Sequence, residues 1–257
     1  MTSDRFSLAR RLRAGETVHT GWCGLGAPIV AELIARAGFP AVTLDQQHGL
    51  YTMDSTAAGI AAVHMAGAAP MVRVPLGDFA VVSRVLDFGA EGVIAPMINT
   101  AEDARTFAAA AKYPPLGERS SGPLRALMLN NMEIADYVAQ ANENIVTFAM
   151  IETRKALANL DIILATPGID AVFVGPSDLS LALTDGKTLD PHSKEVDAAV
   201  GEIGAAAKKA GKVAGAYTAN AERANELAAR GFRFLAVASD TGFVRAGIAA
   251  TWKALKR

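Results

Sequence analysis

The sequence predicts an α/β protein with the (β/α)8 fold of a TIM barrel, in which eight parallel strands form one domain over residues 1–257. Three observations predict this fold class. Eight short runs rich in β-branched residues alternate with eight Ala- and Leu-rich stretches of helical apolar spacing. A length near 250 residues is typical of such a barrel. Glycines follow five helical stretches, where helices commonly end: Gly38, Gly89, Gly168, Gly211 and Gly231.

The predicted elements follow one another as strand and helix along the whole chain. The strands are Val18–Gly24, Ala41–Asp45, Met71–Pro75, Gly92–Met97, Ile145–Glu152, Ala171–Val174, Val213–Tyr217 and Phe234–Ser239. The helices are Ala31–Ala37, Ser55–Met65, Phe79–Phe88, Ala101–Lys112, Arg154–Ala165, Lys194–Ala210, Ala221–Arg230 and Gly242–Leu255. Thr100 and Thr153 precede two of these helices as N-caps. Alternation alone does not show that a sheet closes, so a doubly wound open sheet is the alternative.

Two segments depart from the regular alternation. Residues Thr2–Arg13 form an extra amphipathic segment, which we expect to close the bottom of the barrel. The connection from Tyr113 to Asn144 is long and contains a further helical stretch, Met132–Ala141. Long connections in compact domains are commonly functional or interfacial.

Composition excludes several classes of function. The chain has 25 Lys and Arg against 26 Asp and Glu, a formal net charge of −1, and it has no basic block. This gives no electrostatic basis for a nucleic-acid or membrane partner. The single cysteine, Cys23, excludes an internal disulfide and a cysteine-based zinc site. The first twenty residues have no apolar run typical of a signal peptide, and we expect a cytoplasmic protein.

Polar residues follow four of the predicted strands at their carboxyl ends, where a barrel of this fold places its chemistry. His48 comes shortly after strand 2, Arg73 lies in strand 3, Glu152 ends strand 5 and Asp178 follows strand 6. Neighbouring strands lie about 4.8 Å apart, so Glu152 and Asp178 can reach one cation. Two carboxylates that leave positions for water and substrate suit Mg²⁺ or Mn²⁺. The alternative is that both carboxylates sit in first helical turns and meet only solvent.

Arg73 and His48 are the other candidates at this rim. An arginine among apolar strand residues is costly unless it is paired, and its planar group suits a ligand carboxylate or an enolate oxygen. A structural ion pair of Arg73 with Asp45 or Glu152 is the alternative, and the two roles are compatible. His48 suits an acid or base at neutral pH, whereas a solvated loop histidine is its alternative. Trp22 and Cys23 at strand 1 either line the barrel mouth or belong to the core.

Two kinds of chemistry are disfavoured by what the strand ends lack. No lysine lies within a strand near its carboxyl end, which disfavours a Schiff-base mechanism. The loops after strands 7 and 8 have no Gly-rich pair of the kind that binds phosphate in barrel enzymes, which disfavours a phosphorylated substrate.

From about Gly21 onward, the sequence resembles the HpcH/HpaI family of metal-dependent pyruvate aldolases. The motifs are AELIA from Ala31, LDQQHG from Leu44, VRVP from Val72, APM from Ala95, YPPLGER from Tyr113, IETR from Ile151 and VGPSDLS from Val174. The resemblance implies reversible cleavage of 4-hydroxy-2-oxo acids to an aldehyde and pyruvate, or a close analogue such as hydroxypyruvate. The implied cofactor is Mg²⁺, Mn²⁺ or Co²⁺, which stabilises an enolate.

The resemblance also implies residue roles. Glu152 and Asp178 would hold the metal, Arg73 would bind the 2-oxo acid, and His48 would be the acid and base. The backbone N–H groups of Ser177 and Asp178 would bind the carboxylate of the 2-oxo acid.

An aspartate like Asp87 lies beside the catalytic histidine in this family. Here Asp87 is near the end of a helix, at the opposite end of the barrel from His48, so we expect it to reach the histidine of a neighbouring subunit. The resemblance further implies a hexamer, a trimer of dimers, in which the helix Gly242–Leu255 is exchanged between subunits.

Two positions depart from the family. Gln47 stands where glutamate is common, and Met150 stands where glutamine is common; by strand parity, Met150 should face the interior with Glu152 and make the pocket apolar. Two alternative functions stay open. One is an acyl-CoA lyase of the citrate or malyl-CoA lyase type, and the other is a barrel that binds a 2-oxo acid without turnover.

Overall fold

The computed structural model describes residues 6–255 as a closed barrel. The strands pair in sequence order, each parallel to its neighbours, and β1 pairs with β8 to close the sheet. They are β1 (Val18–Cys23), β2 (Ala41–Asp45), β3 (Ala69–Arg73), β4 (Gly92–Ala95), β5 (Val146–Ile151), β6 (Ala171–Val174), β7 (Val213–Thr218) and β8 (Phe234–Ser239). The predicted TIM barrel is confirmed, and the open sheet is excluded.

The helices surround this barrel. They are α1 (Ser7–Arg13), α2 (Pro28–Arg36), α3 (Met53–Met65), α4 (Ala80–Asp87), α5 (Ala101–Ala111), α6 (Leu124–Asn130), α7 (Ile134–Asn144), α8 (Arg154–Ala158), α9 (Leu160–Ala165), α10 (Pro176–Leu183), α11 (Lys194–Lys209), α12 (Ala221–Ala229) and α13 (Asp240–Ala254). The further helix predicted at Met132–Ala141 corresponds to α7, and α13 begins two residues before the predicted Gly242.

The structure corrects the helix predictions at three places. The predicted helix Arg154–Ala165 is two helices, because Asn159 has a non-helical backbone and its side-chain amide donates to the carbonyl of Asn99 at 2.8 Å. The helix α6 lies in the part of the long connection before Met132, where no helix was predicted. The helix α10 was also not predicted, although Pro176 at its first position and Asp178 in its first turn suit a helix start.

The amino-terminal helix α1 closes the end of the barrel at which the strands begin, the N-terminal end. Leu8 and Leu12 are buried in the same apolar cluster as the barrel interior. The backbone N–H of Leu8 donates to Glu91 Oε2 at 2.9 Å, just before β4. The predicted segment Thr2–Arg13 is therefore helical from Ser7, and its residues 2–5 lie outside the described residues.

Aromatic side chains fill the middle of the barrel. Phe148 and Phe234 have ring centroids 4.6 Å apart, and Phe173 packs edge-on against both. A second, larger cluster lies between the outer faces of the strands and the helices. Burial on both faces explains why the strands are almost continuously apolar, so polar residues within them stand out.

A buried lysine lies at the N-terminal end of the barrel. Lys112 Nζ donates to the carbonyls of Asn142 and Ile145 at 2.9 and 2.6 Å, and to Asp170 Oδ2 at 2.7 Å. Asp170 also accepts from the N–H and hydroxyl of Thr147. Burial lowers the pKa of Lys112, and the charge of Asp170 opposes that effect. All three N–H groups of this ammonium therefore have acceptors.

None of the helices within residues 6–255 has both the length and the apolar character needed to cross a membrane.

Candidate active site

A cavity of about 240 Å³ opens at the end of the barrel where the strands finish, the C-terminal end. It is lined by Trp22, His48, Arg73, Met150, Phe173, Gly175, Pro176, Ser177, Asp178 and Tyr217. Most of the predicted site residues therefore surround one cavity. A larger cavity, about 920 Å³, lies at the N-terminal end between α1 and the starts of β5 to β8, and it contains none of those residues. We assign the candidate site to the smaller cavity, because barrels of this fold carry their chemistry at the C-terminal end.

Asp45 organises one side of the cavity. It lies opposite Arg73 in the β2–β3 register, and it accepts Arg73 Nε at 2.9 Å and Arg73 Nη2 at 2.6 Å. Asp45 also accepts the indole N–H of Trp22 and the backbone N–H groups of Gln47 and His48. Burial alone would raise the pKa of Asp45, but the hydrogen bonds and charge of Arg73 outweigh it and hold that pKa below its usual range.

The structural ion pair considered for Arg73 is thus present, with Asp45 as its partner. The pair leaves part of the guanidinium available, since Arg73 Nη1 makes no hydrogen bond with any residue in the range 6–255. The guanidinium carbon lies 4.8 Å from the ring centroid of Trp22, and Trp22 in turn meets Tyr217 edge-on at 5.6 Å. Ion pairing and stacking fix the orientation of Arg73 while one N–H edge can still face a ligand.

Glu152 is the most unusual group of the site. The residue is 1% exposed, and its Oε1 accepts the backbone N–H of Met97 at 2.7 Å. Oε2 is buried without a hydrogen-bond partner in the described part of the chain. It lies against Gly175, where a β-carbon would overlap it. Burial, together with the charge of Asp178, raises the pKa of Glu152 to about 7, while Met97 and Arg73 act in the opposite direction.

This donor set fits a divalent cation. A buried carboxylate oxygen without a partner costs free energy unless a ligand satisfies it, and Asp178 is close enough for its charge to affect Glu152. Within residues 6–255, no three or more His, Cys, Asp and Glu side chains cluster as a metal site. Glu152 and Asp178 would therefore leave several coordination positions to water and substrate, as Mg²⁺ commonly requires.

The start of α10 supplies backbone donors to the same cavity. Ser177 and Asp178 are in the first turn of this eight-residue helix, where N–H groups have no intrahelical acceptor. The first backbone bond of the helix is from Leu179 N–H to the carbonyl of Gly175. Both residues line the cavity. A helix start of this kind binds anions such as carboxylates.

His48 and Asp87 lie apart within one chain. His48 is exposed and lines the cavity, and its backbone is fixed by Asp45. Asp87 is the last residue of α4, near the start of β4, where Arg119 Nη2 donates to its Oδ1 at 2.6 Å. The guanidinium of Arg119 stacks on the ring of Tyr113 at 4.6 Å. A single chain therefore does not bring Asp87 to His48.

Sequence reasoning missed several contributors. Tyr217 lines the cavity, and listing the last residues of every strand would have found it. Met97 has a left-handed backbone, with φ of +53°, which aims its N–H at Glu152. Gly175 leaves room for the Glu152 carboxylate. Nothing in the sequence itself distinguishes Met97 or Gly175, because their roles depend on a neighbouring strand.

Comparison with known proteins identifies the family. The sequence profile described as HpcH/HpaI aldolase/citrate lyase matches residues 20–246. The chain belongs to the HpcH/HpaI aldolase/citrate lyase family. The resemblance predicted from the motifs is thereby confirmed.

Several known proteins resemble the chain over nearly its full length. It is 39% identical over 232 residues to a hydroxypyruvate/pyruvate aldolase of Rhizorhabdus wittichii, covering 90% of this chain and 91% of that protein. It is 35% identical over 236 residues to a 4-hydroxy-2-oxo-heptane-1,7-dioate aldolase of Klebsiella pneumoniae, covering 92% and 88%. The solved HpcH/HpaI aldolase of Desulfitobacterium hafniense superimposes with a TM-score of 0.88 at 33% identity, covering 97% of each chain. The relatives' names confirm the predicted enzyme class at the level of a lyase.

Proposed function

We propose that this protein is a divalent-metal-dependent aldolase that reversibly cleaves 4-hydroxy-2-oxo acids to an aldehyde and pyruvate, or a close analogue such as hydroxypyruvate. The observation that carries the proposal is the buried, unpartnered Oε2 of Glu152. It lies against Gly175 and close to Asp178, and both of those residues line the cavity together with Arg73 and His48. The names of the relatives from Rhizorhabdus wittichii and Klebsiella pneumoniae support the same substrate class.

Glu152 and Asp178 would hold the cation, Mg²⁺, Mn²⁺ or Co²⁺. When bound, such an ion supplies Lewis-acid chemistry that makes the C3 proton of a 2-oxo acid removable. The N–H groups of Ser177 and Asp178 would bind the substrate carboxylate, and Arg73 Nη1 would face the C2 oxygen, where negative charge develops. Because Asp45 fixes the rest of the guanidinium, this charge is oriented before the substrate arrives.

His48 would move the proton. In the cleavage direction, its imidazole accepts the proton of the C4 hydroxyl while the C3–C4 bond breaks and the electron pair enters the C2–C3 bond. The same proton is available for return to C3 after the aldehyde leaves. We assign to Asp87 the role of orienting the imidazole of His48 in a neighbouring copy of the chain. Asp87 Oδ2 is available for this contact, because it makes no hydrogen bond within residues 6–255 of its own chain.

The shape of the cavity favours a small keto acid over an acyl-CoA thioester. Its volume is about 240 Å³, below the usual range of about 300–1,000 Å³ for pockets that enclose a drug-sized ligand. Among the described residues that line the cavity, Arg73 is the one arginine and there is no lysine. Asp45 already neutralises the charge of Arg73. Met150 and Phe173 make the wall apolar. These features supply no basic surface for a nucleotide diphosphate.

Chelation tests the proposal. EDTA should abolish pyruvate formation from a 4-hydroxy-2-oxo acid, and Mg²⁺, Mn²⁺ or Co²⁺ should restore it. Exchange of the pyruvate methyl protons with D₂O should show the same dependence, because it reports enolate formation without an aldehyde. Activity that survives EDTA and is trapped by borohydride would refute the metal assignment. Metal binding without proton exchange would favour the barrel that binds a 2-oxo acid without turnover.

We also propose that the chain forms a homo-oligomer, a hexamer built as a trimer of dimers. In α13, Asp240 is the one buried residue within the described part of that helix. Val244, Ile248 and Trp252 recur at helical spacing and are 47%, 62% and 61% exposed. An apolar stripe of this kind suits subunit contact, and exchange of α13 between copies would cover it. Native mass spectrometry would give the subunit number directly.

A further inference from the structure

The first residue of α13 makes contacts that differ from those of the rest of the helix. Asp240 is 1% exposed, whereas the residues that follow it in α13 are exposed. Its Oδ2 accepts the backbone N–H groups of Gly24 and Leu25 at 2.9 and 2.8 Å. Its Oδ1 accepts the N–H of Thr241 at 2.7 Å. The carboxylate therefore binds the loop after β1 as well as its own helix.

The loop after β1 is interlocked with the loop that carries His48. The carbonyl of Gly24 accepts the N–H of Leu50 at 2.7 Å. A β-carbon on Gly49 would lie 3.0 Å from Gly24 Cα, and one on Gly26 would lie 2.6 Å from the carbonyl oxygen of Leu50. These distances leave no room for the two loops to slide past each other, and His48 directly precedes Gly49.

Two carboxylates thus hold the His48 loop at two points. Asp45 accepts the N–H of His48 at 3.3 Å. Asp240 accepts the N–H of Gly24, whose carbonyl accepts the N–H of Leu50. Fixing both points matters for an acid or base, because its ring must keep a set distance from the proton that it transfers.

The backbone that delivers Asp240 is itself irregular. The β1–β8 register shifts between Thr20 and Trp22, so that Trp22 pairs with Ser239. Ala238 has a left-handed backbone, with φ of +56°, which is unfavourable for an alanine. Bulges and strained residues of this kind commonly re-aim a side chain next to a functional site. Here they direct Asp240 inward rather than outward with α13.

We propose that Asp240 is a positioning residue for His48, acting through Gly24 and the loop after β2. The assignment of a catalytic effect rests on the proposed aldolase function. The simpler alternative is that Asp240 only stabilises the start of α13, as acidic residues in first helical turns commonly do. That alternative accounts for the bond to Thr241 but not for those to Gly24 and Leu25.

The test uses Asp240→Asn in the full-length protein with added Mg²⁺. The amide cannot accept from Gly24, Leu25 and Thr241 in the same geometry, because one of its two ends is a donor. We expect kcat for 4-hydroxy-2-oxo acid cleavage to fall about 10- to 100-fold, as small displacements of catalytic groups do. The KM should change less than about 3-fold, because Arg73 and α10 bind the keto acid.

A second readout does not depend on activity. In ¹³C-histidine-labelled protein without substrate, the ring signals of His48 should shift, while those of His19, His64 and His192 stay in place. The matched control is Asn220→Ala, which removes the N-cap that accepts Arg223 N–H at the start of α12. This control should lower Tm while leaving kcat and the His48 signals unchanged.

The outcomes separate the two proposals. Unmoved His48 signals in Asp240→Asn, or an unchanged kcat in an active enzyme, would overturn the positioning role. A wild-type protein without aldolase activity would contradict the proposed function, while the ring signals would still decide the positioning. If Asp240→Asn yields too little folded protein, Asp240→Glu shifts the carboxylate by one methylene and carries the same readouts.

Discussion

Two charged side chains are buried at opposite ends of the barrel, Lys112 at the N-terminal end and Glu152 at the C-terminal end, but their hydrogen bonding differs. At the N-terminal end, Lys112 has three acceptors and its partner Asp170 has three donors. At the C-terminal end, one oxygen of Glu152 has a donor and the other has none in the described structure. Buried polar groups of folded proteins are normally satisfied. Burial of a charge therefore does not by itself indicate function, whereas an unpartnered carboxylate oxygen close to a second carboxylate indicates a place that a cation would satisfy.

The largest expected effect is a loss of activity on substitution of Glu152. Glu152→Gln keeps the shape of the side chain but removes the charge that a cation needs. We expect kcat/KM to fall at least ~1,000-fold, about 4 kcal/mol in activation free energy, at saturating Mg²⁺. The control Glu102→Gln, at an exposed position in the first turn of α5, should have nearly wild-type activity. Activity of Glu152→Gln within 10-fold of the wild type would contradict the reading of Glu152 as a metal ligand.

The opposite pattern, a loss of stability with activity kept, is expected for Lys112. Lys112→Met leaves the carbonyls of Asn142 and Ile145 and the carboxylate of Asp170 without their donor. The free energy of unfolding should fall by about 3–4 kcal/mol, since water can still reach the partly exposed Asp170. Urea unfolding measures this loss, and kcat of the folded fraction should stay within about 2-fold. A large loss of kcat with intact stability would contradict the purely structural role of Lys112.

The smallest effect is a pH dependence of stability that originates from Glu152. In the folded, metal-free protein, burial raises the pKa of Glu152 to about 7, from an ordinary value of 4.5 that applies to the unfolded chain. A carboxyl with a raised folded-state pKa destabilises the fold as pH rises from 4.5 through 7, and the cost is constant above that range. Glu152→Gln removes this cost. Its stability relative to the wild type should therefore increase by about 2–3 kcal/mol between pH 5 and pH 8.

Chemical unfolding of both metal-free proteins at the two pH values gives this difference. A stability gap that is the same at pH 5 and pH 8 would show that Glu152 is ionised over the whole range. The gap should also close when Mg²⁺ is added to the wild type, because a bound cation stabilises the ionised carboxylate.

The fold was predictable because each strand and helix leaves its own local pattern. The alternation of β-branched runs with helical stretches, and glycines such as Gly38 after the helices, specified the order of elements without knowledge of their neighbours. The break at Asn159 was not predictable, since it is held by the carbonyl of Asn99 from another part of the chain. The helix α10 was not predictable from periodicity, because its eight residues are too few to establish a helical apolar spacing.

The candidate site was predictable where a side chain stands out in an apolar strand. Arg73 and Glu152 are such residues, and the parallel topology places both at one rim. The contribution of Met97 is a backbone N–H, and the contribution of Gly175 is the absence of a side chain. Both contributions depend on the carboxylate of Glu152, which belongs to a different βα unit. The local sequence around Met97 or Gly175 therefore gives no sign of them.

The close approach of Gly175 to the Glu152 carboxylate has a consequence for enzyme engineering. Even a methyl group at position 175 would occupy the space of that oxygen, so a mutant library aimed at new aldehydes should keep this codon fixed. Diversity belongs instead at Met150, Phe173 and Tyr217, whose side chains shape the wall. Randomising these three positions explores the acceptor range without touching the proposed acidic pair.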